Sequence, residues 1–332
     1  LPENECKMLA KGLWVCGVII PPDDSSVISP FRRPKKLNDP SVTVKIMIFK
    51  SIGLFGRYQD VAVKATLNEI REHLEQRGRS VFLGDTTHQE IEGLRIGDSG
   101  QPLAETIDLG IVVGGDGTML HVTSALARVS LPVIGINMGR LGFLTDIPAD
   151  TFRNDLDLML EGEFEIEERM MLKAGLTRNG AIQAERLALN DVVLSKGATG
   201  KMIEFDTRVN GEPIGRVRGD GVIVATPTGS TAYALSAGGP ILHPLLPAIV
   251  LTPICPHTLG QRPIVLDRYS DIQIDFVESD NEKGHAFVDG LDFAVVHTGE
   301  SLTITPAELS ARLVRIKGHS HYEVLHSKLG WG

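Results

Sequence analysis

The sequence feature that most constrains the fold is an apolar run from Ile107 to Val113 that leads directly into Gly114 and Gly115. Buried strands of parallel sheets have this continuous apolar character, and paired glycines after such a strand indicate a tight turn. A helical pattern follows from Thr118 to Arg128, and a second apolar strand is predicted from Pro132 to Ile136. The order strand, helix, strand predicts a βαβ unit and therefore an α/β domain with a parallel sheet.

The chain on the N-terminal side of this unit repeats the same alternation. A buried strand is predicted from Ile48 to Gly56, a helix from Tyr58 to Gln76 and a further strand around Val81. Residues 1–46 lack this alternation and are interrupted by prolines. We therefore expect residues 1–46 to be an extension or linker outside a Rossmann-like α/β core.

Beyond about residue 150 the pattern becomes that of an antiparallel, β-rich domain. Three pairs, Asn179-Gly180, Asn210-Gly211 and Asp289-Gly290, separate β-rich runs, and such pairs favour the positive φ angles of two-residue hairpin turns. One helix is predicted within this domain, from Ser230 to Ala237. The predicted strands are Leu172–Thr177, Leu187–Val193, Phe205–Val209, Val222–Ala225, Ile272–Phe276 and Leu302–Thr305.

The amino-acid composition argues against several classes of binding partner and cofactor. The net charge is -9, with 33 basic and 42 acidic residues, which argues against a broad nucleic-acid-binding face. The three cysteines, Cys6, Cys16 and Cys255, have no paired short spacing, so neither a disulfide framework nor a zinc site is expected. No apolar run reaches the length of a transmembrane helix. These features predict a cytoplasmic protein that binds neither nucleic acid nor membranes.

The first motif with chemical content is the turn from Gly114 to Thr118, which reads Gly-Gly-Asp-Gly-Thr. Glycines at 114, 115 and 117 let a ligand approach the main chain, and the N–H groups of the following helix, near Thr118, suit a phosphate. Asp116 does not fit a plain phosphate site, because a carboxylate about 4 Å from a phosphate charge costs roughly 4 kcal/mol at an effective dielectric of about 20. Asp116 is therefore expected to accept a proton from a hydroxyl group or to act through a metal ion. The alternative is a structural turn with a helix-capping aspartate.

Two common nucleotide-binding signatures are missing. A Walker A loop requires Gly-Lys followed by Ser or Thr, which occurs nowhere in the sequence. The dinucleotide fingerprint requires a third glycine where this chain has Leu120, and its acidic residue falls where this chain has Asn137-Met138. These absences count against a P-loop enzyme and against a dehydrogenase.

The second motif comprises Arg218-Gly219-Asp220-Gly221 and the hydroxyl-rich run from Thr226 to Tyr233. Here a strand leads into a turn and a predicted helix start, whose free N–H groups and hydroxyls can bind a polar ligand. The Tyr233 ring offers a surface on which a base can stack. A helix-capping turn with no ligand is the alternative.

Three further groups are weaker candidates. Asn190-Asp191 lies at the edge of an apolar strand, where a turn is the alternative, although an asparagine amide can pair with an adenine edge. Asp289-Gly290 is predicted to be a hairpin turn rather than a ligand-binding pair. His319, His321 and His326 have no carboxylate or cysteine spaced to complete a metal site, so we expect surface histidines and no metal site built from protein side chains.

Taken in order and at this spacing, the motifs resemble the bacterial NAD kinase family, whose members use ATP or polyphosphate. The resemblance extends from about residue 48 to the end of the chain. It depends on Gly114–Thr118, Gly135–Asp146, Asn190-Asp191, Gly219–Gly239, Pro253–Leu259 with Arg262-Pro263, and Ser327–Trp331. The first motif alone also occurs in diacylglycerol, sphingosine and phosphofructo-kinases, whereas the run from Gly219 to Gly239 is much more specific.

The resemblance implies an α/β domain at 47–146, a β-rich NAD-binding domain at 147–305 and a final segment, 306–332, that returns to the first domain. It implies transfer of the γ-phosphoryl group of ATP to the 2′-hydroxyl of the adenosine ribose of NAD, with Mg²⁺ as cofactor and a homodimer or homotetramer as the assembly. Asp116 would be the catalytic proton acceptor. The NAD-binding residues would be Asp116, Gly117, Phe143, Asn190, Asp191, Arg218, Asp220, Thr231, Ala232, Tyr233, Ala234, Leu235 and Ser236. The phosphate-binding residues would be Gly114, Gly115, Gly117 and Thr118, and Lys201 and Asp289 are weaker candidates.

Two alternatives remain at this stage. A lipid kinase of the diacylglycerol or sphingosine type would share the first motif but would not explain the second. A catalytically silent dinucleotide sensor would bind NAD without releasing ADP from ATP, although Asp116 argues against it. The sequence also departs from the family at residues 1–46, which match nothing in it, and at Leu291, where a polar residue often stands.

Overall fold

The computed structural model describes residues 49–57, 59–85, 94–95, 105–139, 142–145, 147–198, 201–277, 283–318 and 320–330. The predicted extension at 1–46 lies outside these residues, as do Arg140, Leu141, Asp146, His319 and Trp331. None of the helices in these ranges is both long enough and apolar enough to cross a membrane.

Parallel strands and helices alternate in the first part of the chain. The strands are β1 (Ser51–Gly56), β2 (Ser80–Asp85), β3 (Leu94–Arg95), β4 (Leu109–Val113), β5 (Pro132–Asn137) and β6 (Ile147–Pro148). The helices are α1 (Val61–Glu75), α2 (Asp116–Ala127) and α3 (Phe152–Leu160). β1 pairs in parallel with β2 and β4, and β4 pairs in parallel with β5. The predicted α/β domain with a parallel sheet is therefore confirmed.

Helix starts in this domain follow from their caps. The predicted helix from Tyr58 begins instead at Val61, because the Asp60 side chain accepts hydrogen bonds from the N–H groups of Ala62 and Val63, which is the usual role of an N-cap aspartate. α2 begins two residues before the predicted Thr118, because Gly115 is extended and the chain turns helical at Asp116. Asp116 thus belongs to the first turn of α2.

Antiparallel strands dominate the rest of the chain. The strands are β7 (Phe164–Arg178), β8 (Ala181–Ala188), β9 (Asp191–Ser195), β10 (Ile203–Val209), β11 (Glu212–Gly219), β12 (Gly221–Ala225), β13 (Ala248–Ile254), β14 (Ile264–Asp267), β15 (Ile272–Phe276), β16 (Gly284–Val288), β17 (Leu291–Val296) and β18 (Glu300–Ile316). A 3₁₀ turn (Gly229–Thr231), α4 (Tyr233–Ser236) and α5 (His321–Leu329) complete the described elements.

The long strand β18 joins the parallel and antiparallel parts into one sheet, in the order β11-β10-β15-β18-β5-β4-β1-β2-β3. Its first half pairs antiparallel with β15, and at Arg312 and Leu313 it pairs in parallel with β5. The register against β7 shifts between Pro306 and Ser310. The final segment therefore returns to the first domain, as predicted, as the second half of one long strand.

The other sheet has the order β14-β13-β12-β9-β16-β17. Its inner side packs against the antiparallel half of the first sheet around a core that includes Phe205, Phe276, Val224 and Leu302. The three predicted hairpin turns are confirmed: the φ angles are 51° and 75° at Asn179-Gly180, 52° and 80° at Asn210-Gly211, and 50° and 76° at Asp289-Gly290. They join β7 to β8, β10 to β11 and β16 to β17.

Two predicted elements are wrong in detail. The single strand predicted from Leu187 to Val193 is broken at Leu189 and Asn190, where the chain passes from one sheet to the other. The helix predicted from Ser230 to Ala237 is a 3₁₀ turn and one short α-helical turn, separated at Ala232, whose φ and ψ are -99° and -126°. Hydroxyl groups compete with the helix backbone here: Ser230 Oγ donates to the Pro227 carbonyl at 2.6 Å and accepts from the Leu242 N–H at 2.9 Å.

Candidate active site

Asp116 stands at the start of α2, and its carboxylate is held by a neighbouring loop. Oδ2 accepts a hydrogen bond from the Phe143 N–H at 3.0 Å, and Oδ1 accepts from the Leu144 N–H at 3.1 Å and the Thr145 hydroxyl at 3.3 Å. A Cβ at Gly142 would collide with Asp116 Oδ1 and Thr145 Oγ1. The loop can approach the carboxylate this closely only because residue 142 is glycine.

The turn before α2 has the properties expected of a phosphate site. No side chain caps the N-terminus of α2. Its first backbone N–H groups therefore have no capping partner, and the positive end of the helix dipole lies at the same place. A Cβ at Gly115 or Gly117 would meet nothing within 4 Å, whereas one at Gly114 would contact Thr118 Oγ1 at 3.0 Å. Glycine at 115 and 117 therefore leaves open space next to the backbone, in which an anion can approach the N–H groups.

A cavity of about 450 Å³ lies beside α2. Leu120, one turn after Asp116 on the same helix, forms part of its wall. Five residues predicted from the sequence line it, namely Asn190, Asp191, Ala232, Tyr233 and Asp289. The remaining lining residues are Val193, Ser195, Phe287 and Gly290. The volume falls in the range of small-molecule sites, and the Tyr233 ring, 46% exposed, is open to a ligand rather than packed in the core.

Hydrogen bonds hold the segment 189–191, of which Asn190 and Asp191 line the cavity. The Asp289 carboxylate accepts from the N–H groups of Leu189 at 2.8 Å, Asn190 at 2.8 Å and Asp191 at 3.1 Å. On the other side, Thr226 donates through its hydroxyl to the Leu189 carbonyl at 2.6 Å and through its N–H to the Asn190 carbonyl at 2.9 Å. These bonds satisfy the backbone where β8 ends and β9 begins.

The two carboxyl groups of this wall have perturbed acidities. Burial, together with the charge of nearby Asp289, raises the pKa of Asp191 to about 7. Burial also raises the pKa of Asp289, although the three backbone N–H groups that bind its carboxylate oppose the shift. Carboxyl groups with raised pKa values inside a cleft are typical of functional sites.

Several predicted residues lie outside the cavity lining. Asp220 forms an ion pair with Lys196 at 2.8 Å, Arg218 is exposed, and Lys201 is exposed. Thr231 Oγ1 donates to the Thr228 carbonyl at 3.2 Å. In α4, Leu235 is half-buried, Ser236 is exposed and Ala234 is fully buried in the core.

Phe143 lies between the Asp116 loop and the end of the chain. Its carbonyl accepts a hydrogen bond from Arg315 at 3.3 Å, and the Lys328 ammonium lies 5.9 Å from the centre of its ring. The C-terminal strand and helix therefore contact the loop that binds Asp116.

An ionic network that was not predicted from the sequence connects the two motifs. The Glu167 carboxylate binds Arg169 at 2.5 Å and Arg315 at 3.3 Å. Arg169, 2% exposed, also donates to Thr228 Oγ1 at 3.2 Å, in the hydroxyl-rich turn. Burial of Glu167 disfavours its charged form, but the two guanidinium groups outweigh burial and hold its pKa below the usual value. Opposite charges at alternate positions of one strand, 167 and 169, are the sequence signal that could have indicated this pair.

One predicted surface histidine is not fully exposed. His321, the first residue of α5, is half-buried with its ring 5.5 Å from that of His243. Burial, and then the charges of His243, Arg169 and Arg315, lower the pKa of His321 to about 4. The imidazole is therefore neutral at pH 7. His326 is exposed, as predicted.

Comparisons with known proteins show which family this chain matches. The ATP-NAD kinase N-terminal domain family matches residues 52–164, and the ATP-NAD kinase C-terminal domain family matches residues 189–323. Over 285 residues the chain is 43% identical to an NAD kinase of Nitrosomonas europaea and 42% identical to one of Pseudomonas putida. Each alignment covers 86% of this chain and 96% of the relative.

Solved structures give the same result. A yeast NADH kinase complexed with NADH is similar with a TM-score of 0.74 and 25% identity, over 86% of this chain and 89% of that one. An NAD kinase from Archaeoglobus fulgidus in complex with ATP is similar with a TM-score of 0.64 and 30% identity, over 83% of this chain and 99% of that one. The two family models and the relatives above 40% identity over nearly their full length lead to one conclusion: this chain belongs to the NAD kinase family.

Proposed function

We propose that this chain, as an NAD kinase, transfers the γ-phosphoryl group of ATP to the 2′-hydroxyl of the adenosine ribose of NAD, and that Asp116 accepts the hydroxyl proton. The observation that carries the proposal is the position of α2. Its first residue, Asp116, follows the phosphate-type turn, and its fifth, Leu120, lines the cavity that contains Asn190, Asp191 and Tyr233. One helix thus connects the proposed phosphate site, a carboxylate and the cavity that we propose binds NAD.

In the proposed reaction a bond forms between the ribose 2′-oxygen and the γ-phosphorus, and the bond from that phosphorus to the β,γ-bridging oxygen breaks. The hydroxyl proton passes to the Asp116 carboxylate, and ADP leaves. A ribose hydroxyl is a poor nucleophile, so positioning and charge stabilisation supply most of the rate, with the base adding about 10² to 10⁴. The hydrogen bonds from Phe143 and Leu144 support this role because they fix the direction of the carboxylate.

The phosphates of ATP would lie at the turn formed by Gly114, Gly115, Gly117 and Thr118. Mg²⁺ in kinases is usually held by one or two carboxylates together with substrate phosphates rather than by an all-protein cage. The described residues contain no group of three or more His, Cys, Asp or Glu side chains that could hold a metal ion, and Asp116 lies within the proposed phosphate turn and would supply the carboxylate. When bound, Mg²⁺ would offset the charge of the ATP phosphates.

For NAD, we assign roles to three of the predicted residues. Asn190 can pair through its amide with the adenine edge, and the Tyr233 ring can stack on a base. Phe143 lies near enough to Asp116 to contact the adenosine end. The remaining NAD contacts that we propose are Gly117, Asp191, Arg218, Asp220, Thr231, Ala232, Ala234, Leu235 and Ser236. Lys201, which is exposed, is a further proposed contact.

We also propose that the protein forms a homodimer or homotetramer in the cytoplasm. Support for self-association comes from β14, an edge strand of its sheet on which Ile264 and Val265 are 43% and 46% exposed. Apolar edge strands are normally covered by another chain or element. Light scattering after gel filtration tests the assembly, and a Val265→Lys variant should reduce its mass. Cell fractionation tests the location.

Purified protein incubated with NAD, ATP and magnesium tests the activity. We expect NADP and ADP in equal amounts. NAD binding without ADP release would instead favour the silent dinucleotide sensor. Phosphorylation of a diacylglycerol or sphingosine in place of NAD would favour the lipid kinase, for which the family comparisons give no support.

A further inference from the structure

Asp289 has a relationship to the cavity that a hairpin turn alone does not explain. It is the first residue of the turn between β16 and β17, with φ of 50°, and its side chain reaches back about a hundred residues in sequence. There it accepts hydrogen bonds from three successive backbone N–H groups, those of Leu189, Asn190 and Asp191. The contact is reciprocal, because the Asp289 N–H donates to the Asp191 carbonyl at 3.0 Å.

The turn itself does not require a carboxylate. The two comparable hairpins have asparagine at the same position, Asn179 and Asn210, with φ of 51° and 52°, and asparagine is a preferred residue there. A buried carboxylate is costly unless it is well hydrogen-bonded. Position 289 therefore requires a side chain that only accepts hydrogen bonds. The amide of asparagine would place its own N–H group against a backbone N–H, and two donors cannot pair.

The segment that Asp289 binds is the point at which the chain changes sheets. β8 belongs to the long sheet and β9 to the other one, so Leu189 and Asn190 have no strand partners through which to pair their N–H groups. Thr226 binds the two carbonyl groups of the same residues. Asn190 and Asp191 consequently enter the cavity wall in a conformation fixed from both sides.

We propose that Asp289 is a positioning residue of the NAD site: its carboxylate fixes the backbone of residues 189–191 and thereby holds the Asn190 and Asp191 side chains in the cavity wall. The proposal rests on the proposed function, since it assumes that the cavity binds NAD. In this proposal Asp289 does not touch NAD. It affects NAD binding only by positioning the Asn190 and Asp191 side chains. Loss of the carboxylate should weaken NAD binding and leave phosphoryl transfer largely intact.

The test is Asp289→Asn in the full chain, since asparagine fits the positive φ but replaces one acceptor oxygen with an N–H donor, so at least one hydrogen bond from the backbone N–H groups is lost. We expect KM for NAD to rise at least tenfold, with kcat and KM for ATP within threefold of wild type. Asn210→Ala is the matched control, because it removes a hairpin-turn acceptor that binds the Asp271 N–H at 2.8 Å away from the cavity. The control should lower the melting temperature and leave KM for NAD unchanged. An unchanged KM in a folded Asp289→Asn protein overturns the proposal.

A double-mutant cycle separates positioning from direct contact. In an Asn190→Ala/Asp191→Ala background there are no side chains left to position, so Asp289→Asn should change kcat/KM for NAD by less than threefold. A full tenfold loss in that background would mean that Asp289 touches NAD itself, and the proposal would be wrong. If Asp289→Asn is insoluble, Asp289→Ser, which also keeps one acceptor oxygen, takes its place with the same expectations.

Calorimetric titration of NAD into the same variants keeps this test independent of turnover. If wild type binds NAD but makes no NADP, the proposed function fails while the binding loss in Asp289→Asn still supports positioning. If wild type makes NADP and Asp289→Asn binds NAD normally, positioning fails while the proposed function stands.

Discussion

The Asp116 carboxylate accepts a hydrogen bond from the Phe143 N–H at 3.0 Å, although the two residues are 27 positions apart. Phe143 is in turn bound by Arg315 through its carbonyl, so the proposed base is linked through one loop to the C-terminal part of the long strand β18. A carboxylate oxygen has two lone pairs, so Oδ2, which accepts the Phe143 bond, keeps one for a substrate hydroxyl, whereas Oδ1 already accepts from Leu144 and Thr145. The geometry of the loop therefore controls the direction of the base.

Gly142→Ala should lower kcat by about 10² or more, because the added methyl group collides with the Asp116 carboxylate and a displacement near 1 Å at a reacting group can cost about 10² in rate. The control is Gly139→Ala in the same loop, where a Cβ meets nothing within 4 Å. Steady-state kinetics on both variants provide the check. Equal activity in the two variants would contradict the role given to the loop.

Tyr233→Ala should raise KM for NAD by about tenfold, because stacking of a base on an aromatic ring contributes about 1–3 kcal/mol. The melting temperature should change little, since the ring is 46% exposed. Tyr269→Ala, at a site 72% exposed and outside the cavity lining, is the control. A large drop in melting temperature with an unchanged KM would make Tyr233 a structural residue.

The parts of the fold that depend on local chemistry could be predicted from the sequence. The βαβ unit follows from apolar runs and glycines, and the three hairpins follow from residue pairs that tolerate positive φ. Within Leu187–Val193 the turn-favouring pair Asn190-Asp191 is a local sign of a break, but it does not determine that the strand ends at Ala188. The break depends on hydrogen bonds that Leu189 and Asn190 donate to the Asp289 carboxylate and accept from Thr226, and only the tertiary fold brings these residues together.

Asp191→Asn should stabilise the protein at high pH. The folded pKa of Asp191, about 7, lies above the unfolded value, so the folded state binds the proton more tightly and the aspartate destabilises the fold increasingly as pH rises from about 4 to 7. A difference of about three pKa units corresponds to roughly 4 kcal/mol. Chemical denaturation should show a gain that is larger at pH 8 than at pH 5. A gain independent of pH would contradict the assignment.

Glu167→Gln should lower the free energy of unfolding by about 2 kcal/mol at pH 7, because hydrogen bonds to charged groups each contribute about 1.5–3 kcal/mol. The pKa of Glu167 is lowered in the fold, so its stabilising effect is complete above the unfolded pKa of about 4.3 and disappears as pH falls through the folded pKa. Denaturation at pH 7 and pH 4 should show a smaller difference from wild type at pH 4. An equal loss at both pH values would show that charge is not the cause.

The motifs of the candidate site could be predicted from the sequence, but the contacts between residues far apart in the chain could not. Glycines before Asp116 and the hydroxyl-rich turn before Tyr233 are local patterns that indicate ligand binding. The Glu167 carboxylate joins Arg169, two residues away, to Arg315, 148 residues away, and no local pattern shows the second contact. Long-range pairing of this kind is fixed by the register of β7 against β18.

The most direct measurement of the central claim is NADP formation from NAD, ATP and magnesium by wild type and by Asp116→Asn, with NAD binding measured in parallel. Asparagine cannot take the hydroxyl proton, so we predict a kcat lower by about 10² to 10⁴ and an NAD dissociation constant changed by less than tenfold. Loss of NAD binding with kcat preserved would make Asp116 a binding residue. Unchanged kcat and unchanged binding would contradict the assignment of the turn from Gly114 to Thr118 as the reaction centre.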